Sequence, residues 1–204
     1  GPVDHRYRAP GRRRGKAVVE LGSGLKPQAA SVAGRLRHRE GPMIGRERQQ
    51  GIAEFFVAGE ASRCQHDTAV VILSYNGTKW HELFLPLIVA EAHTGYDVVL
   101  ADNASTDDTL AYVEANFPTV KTLRITENHG FANGYYEALR GIEAKYYILL
   151  SADFEVTHGW FPPLHAAMER DTQLAACQPK IRYYRERDKF EYAGAGGGFM
   201  DKYG

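Results

Sequence analysis

Cysteine is scarce in this 204-residue chain. Only Cys64 and Cys177 occur, which excludes a disulfide scaffold and matches no cysteine-based metal motif. Long apolar runs are also lacking. No stretch approaches the roughly 20 residues that cross a bilayer, and no secretory h-region stands near the start. A cytoplasmic protein is the expectation, working in solution or peripherally at the inner face of the cell membrane. Net charge is lacking too, with 25 basic and 25 acidic residues. Its distribution is uneven: residues 1–60 hold 12 Lys/Arg against 6 Asp/Glu, and residues 61–204 hold 13 against 19. An acidic body argues against general nucleic-acid binding. No GxSxG elbow is present, and no Gly-rich loop ends in Lys-Ser/Thr. His66, His81, His93, His129, His158 and His165 have no metal-ligand spacing.

What is present is a core-forming composition, 44% hydrophobic, arranged as strands alternating with helices. Residues 1–66 stand apart. The run Arg6 to Arg14 is basic and Pro/Gly-punctuated, and the segment reads as an arm foreign to the domain, with one helical stretch at residues 47–58. From Thr68 the pattern is regular. Ala69 to Tyr75 is an apolar, β-branched run typical of a strand buried on both faces. Helix signals follow over Trp80–His93, about Asp108–Asn116, a helix capped by Asn133, and Trp160–Arg170. Further strands are predicted at Tyr96–Leu100, Val120–Ile125, Tyr146–Leu150 and Leu174–Ile181. The fold class is α/β, a mostly parallel sheet with helices on both faces.

Two carboxylate-bearing stretches, Asp102 to Thr109 and Ser151 to Glu155, follow predicted strands. The carboxyl edge of an open α/β sheet is where ligands bind. Asp153 is the strongest candidate, because a carboxylate there can hold Mg²⁺ or Mn²⁺ beside phosphate oxygens. Glu155, two residues on, is a further candidate ligand. Asp102 can accept from a ring N–H of a pyrimidine, and Asn103 can give and take at a base edge. Asp107 and Asp108 are explained by a helix N-terminus, which favours negative charge. In Asn128 to Gly134, Gly130 permits close backbone approach, and N–H groups at the helix start can meet a nucleotide. Tyr75 ends a strand and can stack beside a base.

Four segments in order, Val71 to Asn76, Ala101 to Asp107, Asn128 to Ala132 and Ser151 to Asp153, resemble the family 2 glycosyltransferases of the GT-A fold over residues 68–204. Ala176 to Ile181 and Phe190 to Gly197 resemble the branch with rhamnosyltransferase-like enzymes of polysaccharide assembly. The resemblance implies a metal-dependent, inverting transfer from a UDP- or dTDP-linked sugar to a glycan or lipid-linked acceptor. It places Ser74, Tyr75 and Asn76 along the nucleoside, and Asp102 at the base. Asn128, Gly130, Phe131, Ala132 and Asn133 border the nucleoside and ribose. Ala152 and Asp153 lie at the diphosphate, with Asp153 as the last carboxylate of the metal motif. Ser151 takes that motif's first position, so one direct carboxylate is expected.

Two departures matter. Tyr136 and Ala138 replace residues common in relatives, and the acceptor-side segment with a general base has no match here. The domain division expected is therefore an arm at residues 1–66 and a nucleotide-sugar-binding part at residues 67–204. A non-catalytic fragment is the alternative reading. It predicts an exposed apolar patch beside Trp160–Arg170 and Leu174–Ile181, self-association through that patch, and a poorly ordered Ala193–Gly198 loop.

Overall fold

The computed structural model describes residues 17–20 and 62–191. Its centre is a four-stranded, all-parallel sheet in the order β5-β4-β3-β7. Here β3 is Thr68–Ser74, β4 is Asp97–Asn103, β5 is Lys121–Ile125 and β7 is Tyr146–Ser151. The helices are α1 (Thr78–Glu91), α2 (Thr109–Asn116), α3 (Gly130–Arg140) and α4 (Phe161–Arg170). This is the α/β architecture expected from the alternation, and it is of the GT-A type. Ser74 pairs with Asp102 and Leu73 with Ser151, so β3, β4 and β7 end at one level.

Two apolar layers hold the sheet. Val70, Ile72, Val98 and Leu100 face one side, under Leu85 and Ile88 of α1 and Leu164 of α4. Ala69, Val71, Val99 and Ala101 face the other side, under Tyr135 and Ala138 of α3. Alternation within each strand sends neighbouring side chains to opposite helical layers. Each fully buried Val, Leu or Ile stabilises the domain by about 1.5–3 kcal/mol. Tyr96 sits edge-on to Trp160 and Phe161, at 5.6 and 4.9 Å between centroids, and donates to the Ile88 carbonyl at 2.6 Å. That contact joins β4, α1 and α4.

Several boundaries differ from the sequence expectation. β4 runs to Asn103, so Asp102 and Asn103 are strand residues and not loop residues beyond it. α3 begins at Gly130, which places Asn133 inside the helix and not at its cap. Local pattern underrated both, because pairing with β3 and β5 extends β4, and the Asn128 turn starts α3 early. Pro86 lies mid-helix on the solvent side of α1, where the unmade bond to Glu82 faces water. The extended stretch expected at Leu174–Ile181 becomes a strand only at Lys180–Tyr183, here β9.

Two small sheets complete the described residues. β2 (Ser62–Arg63) pairs in parallel with β6 (Ile142–Glu143). β1 (Ala17–Glu20) lies between β8 (Phe154–Val156), parallel to it, and the antiparallel β9. These four residues of the segment expected to stand apart are thus joined to the body, immediately after Asp153. Pairing with partners more than a hundred residues away leaves no local signature in so short a strand. The outer edge of β7 has no strand partner among the described residues. An apolar cavity of about 320 Å³ opens along it, between Ile148, Leu149, Leu164 and Cys177. The helix expected at residues 47–58 and the Ala193–Gly198 loop lie outside the described residues.

Candidate active site

The ends of β3 and β4 are tied together by side chains. Asn76 has φ 52° and Ala104 φ 60°, so both adjacent turns pass through the left-handed region. Asn76 N–H donates to Ser105 Oγ at 2.9 Å, and Asn76 Oδ1 accepts the Thr106 N–H at 2.8 Å. Gly77 N–H donates to Thr109 Oγ1 at 2.8 Å. Thr78 Oγ1 donates to Asp107 Oδ2 at 2.9 Å, while Thr109 donates its N–H at 3.0 Å and its hydroxyl to Asp107 Oδ1. Burial opposes the Asp107 charge, but bonds from Thr109 and Thr78 prevail and lower its pKa. Asp107 is therefore a turn-building residue, in keeping with its structural reading. Asp108 occupies the N-cap of α2 without a side-chain cap bond.

Below these turns, Ser74 Oγ meets His81 Nε2 at 2.8 Å, both residues being buried. Ser74 thus presents its backbone and not its hydroxyl to the sheet's upper edge. On the same face Asp102 is fully buried, and its Oδ2 accepts the Ser105 N–H at 3.3 Å. Its Oδ1 is buried with no hydrogen-bond partner among the described residues. An unpaired buried acceptor costs about 1–3 kcal/mol, a cost a ligand N–H can remove.

Asn103, one residue on, points to the opposite face. Its Nδ2 donates to Asn128 Oδ1 at 3.1 Å and to the Gly130 carbonyl at 3.0 Å. Its Oδ1 accepts the His129 N–H at 3.1 Å. Asn128 Oδ1 also accepts the Gly130 N–H at 2.8 Å, and Gly130 has φ 72°, where a side chain is disfavoured. Gly134 lets α3 pack close, since a Cβ there would lie 2.9 Å from a Leu73 methyl and 3.0 Å from Asn103 Nδ2. The Asn103 amide is thus occupied in seating the start of α3. Phe131, Ala132 and Asn133 of that first turn are exposed, and Tyr75 is half exposed.

At the end of β7, Ser151 Oγ donates to Asp153 Oδ1 at 2.7 Å, which orients the carboxylate and leaves Oδ2 unbonded among the described residues. Ala152 packs against the core beneath. Tyr135 donates to the Leu150 carbonyl at 2.9 Å, anchoring α3 to the same strand end. Glu155 forms an ion pair with Arg187, at 2.8 and 2.9 Å. Glu191 is the residue the motifs missed. Burial, and then the charge of Asp153, raise its pKa, and its Oε2 is buried without a partner among the described residues. The segment Phe190-Glu191-Tyr192 could have drawn attention to it, but only the fold brings it within range of the Asp153 charge. Among the described residues, no group of three or more His, Cys, Asp or Glu side chains is gathered for a metal. A cation at Asp153 fits only if a ligand's own oxygens fill most of its shell, which suits a diphosphate.

A GT-A type sheet gathers polar side chains from β3, β4, β7 and the start of α3 at its carboxyl edge, where open α/β sheets bind ligands. The chain belongs to glycosyl transferase family 2, whose model matches residues 69–200. An uncharacterized glycosyltransferase of Bacillus subtilis, YfnE, is 32% identical over 113 residues, which are 53% of this chain and 29% of that protein. Staphylococcus aureus TarS 1–349 shares 22% identity with a TM-score of 0.46, over 51% of this chain and 32% of its own. The mannosyltransferase PcManGT of Pyrobaculum calidifontis, in complex with GDP-Man and Mn²⁺, shares 25% with a TM-score of 0.39, over 52% and 33%. The chain spans about a third of the length of each. No helix of the described residues is long and apolar enough to cross a membrane.

Proposed function

We propose that this chain binds the donor of an inverting glycosyl transfer, a UDP- or dTDP-linked sugar, and passes the sugar to a glycan or lipid-linked acceptor. The observation that carries this reading is the Asp102 carboxylate, buried beside Ser74 with Oδ1 unpaired. A pyrimidine ring N–H supplies the missing donor. Because Asp102 is fully covered, a base must displace a neighbour to reach it. The Ala104–Ser105 turn, bonded to Oδ2, is the neighbour in contact. Tyr75 offers a face for the base, and the exposed first turn of α3, Phe131 to Asn133, borders the ribose.

Asp153 would hold Mn²⁺ or Mg²⁺ together with diphosphate oxygens, the ion stabilising charge on the departing nucleoside diphosphate. Ser151 orients Asp153 for that role. Glu155 would join only by leaving Arg187. The protein would act in the cytoplasm or at the inner face of the membrane, in a rhamnosyltransferase-like branch of polysaccharide assembly. A second reading is donor binding without transfer. In that case the apolar cavity along the edge of β7 supports self-association.

Calorimetry with UDP and dTDP, with and without Mn²⁺, tests the proposal on the intact chain and on Asp153→Ala. Metal-dependent binding that Asp153→Ala weakens at least about tenfold is expected, the loss of one charge-assisted contact. Metal-independent binding, or none, would count against it. Sugar release from bound donor then separates transfer or hydrolysis from binding alone.

A further inference from the structure

A buried histidine lies directly under the proposed nucleoside site. His81, in the first turn of α1, is 1% exposed, and Ser74, the last residue of β3, is 2% exposed. Their side chains meet at 2.8 Å. Burial keeps the ring neutral, its pKa lowered to about 4. A leucine or phenylalanine would fill this space at less desolvation cost, so the polar ring has to be explained by what it bonds. It bonds the residue from which the Tyr75–Asn76 turn departs.

The same turn is held from its other end. Gly77 donates to Thr109, which in turn bonds Asp107. No side chain fits between the two anchors, because a Cβ on Gly77 would lie 2.5 Å from Ser74 Oγ and 3.0 Å from His81 Nε2. Tyr75 and Asn76 are therefore stretched between fixed points, with Asn76 at φ 52° and Tyr75 half exposed.

We infer that His81 is a positioning residue for the nucleotide: its ring holds Ser74 and thereby fixes the Tyr75–Asn76 turn against which the nucleoside lies. The inference rests on the donor-binding reading of the preceding subsection. His81 touches no substrate and acts through Ser74 alone.

Two variants separate the hydrogen bond from the volume. His81→Leu fills the space without the bond, and His81→Gln retains donor and acceptor groups. Ser74→Ala removes the same bond from the opposite side, should His81→Leu fail to fold. Amide exchange at Asn76 and Gly77 is read first in the ligand-free chain, then the Kd for UDP with Mn²⁺. Loss of one neutral hydrogen bond should speed exchange at these two amides about tenfold over the β3 core, and weaken UDP about tenfold. His81→Gln should recover most of both. In a Tyr75→Ala background, His81→Leu should cost less further affinity, because the turn it fixes has lost its ring contact. Unchanged exchange and affinity in folded His81→Leu would overturn the inference, as would an undiminished loss in the Tyr75→Ala background. A wild-type chain that binds neither UDP nor dTDP instead overturns the parent reading, and the nucleotide role of His81 with it.

Discussion

The carboxyl ends of β3 and β4 and the carboxyl end of β7 carry the same kinds of residue and use them in opposite ways. At β3 and β4, nearly every polar side chain is occupied by a neighbour. Asn76, Asp107, Thr109 and Ser74 bond other protein groups, as does Asn103 on the far face. At β7, Asp153 accepts one bond from Ser151, and Glu191, whose pKa is raised by burial and by the Asp153 charge, keeps a buried oxygen unpaired among the described residues. Saturated side chains set shape, and unsaturated ones retain capacity for a ligand. Asp102 is the exception at the first end: its Oδ1 is buried and unpaired among the described residues, and on the proposed reading it receives the base.

Acid should expose the saturated end first. Burial lowers the His81 pKa from 6.5 to about 4, so between those values the unfolded chain binds more protons than the folded one. Stability then rises with pH through that window. The contribution is full above pH 6.5 and is lost as pH falls toward 4, amounting to at most ~3 kcal/mol. Urea midpoints at pH 7 and pH 5 should show the loss, and His81→Gln should flatten it. Equal slopes in the two proteins would place the acid sensitivity of this window elsewhere, and not at Glu91. Bonding from Gly159 first, and then from His158, lowers the Glu91 pKa, and its contribution disappears only at lower pH.

Gly77→Ala probes the same end by volume. Its methyl would crowd Ser74 and His81, at about 2 kcal/mol of overpacking. Denaturant unfolding without loss of stability would show that the turn yields, contrary to the comparison. Asn103→Ala should cost somewhat less, about 1–2 kcal/mol, by freeing the His129 N–H and the Asn128 turn. Its distinctive sign should be faster amide exchange at His129 and Gly130 than at β3. The smallest effect is expected at the other end. Glu155→Gln breaks a partly exposed ion pair to Arg187 and should change stability by less than ~0.5 kcal/mol. Mn²⁺-dependent UDP binding should survive it. If binding is lost instead, Glu155 leaves Arg187 to join the metal, and the contrast between the two ends sharpens further.

The sequence by itself determined the α/β alternation, the parallel sheet and the family, because β-branched runs and the four motif segments are local signals with fixed order. It also brought Asp102 and Asp153 forward, since a carboxylate at a strand end is visible in one dimension. What each carboxylate has left to bond with was decided only by the tertiary structure. Strand alternation sent Asp102 and Asn103 to opposite layers, and α3 then consumed the Asn103 amide. Arg187, distant in sequence, claimed Glu155. His81 looked like one scattered histidine among several until α1 folded it under Ser74. Likewise the partners of Ala17–Glu20 lie more than a hundred residues away, where no local pattern reaches. Residue type and spacing set which groups can act, while saturation by distant partners sets which of them remain free to do so.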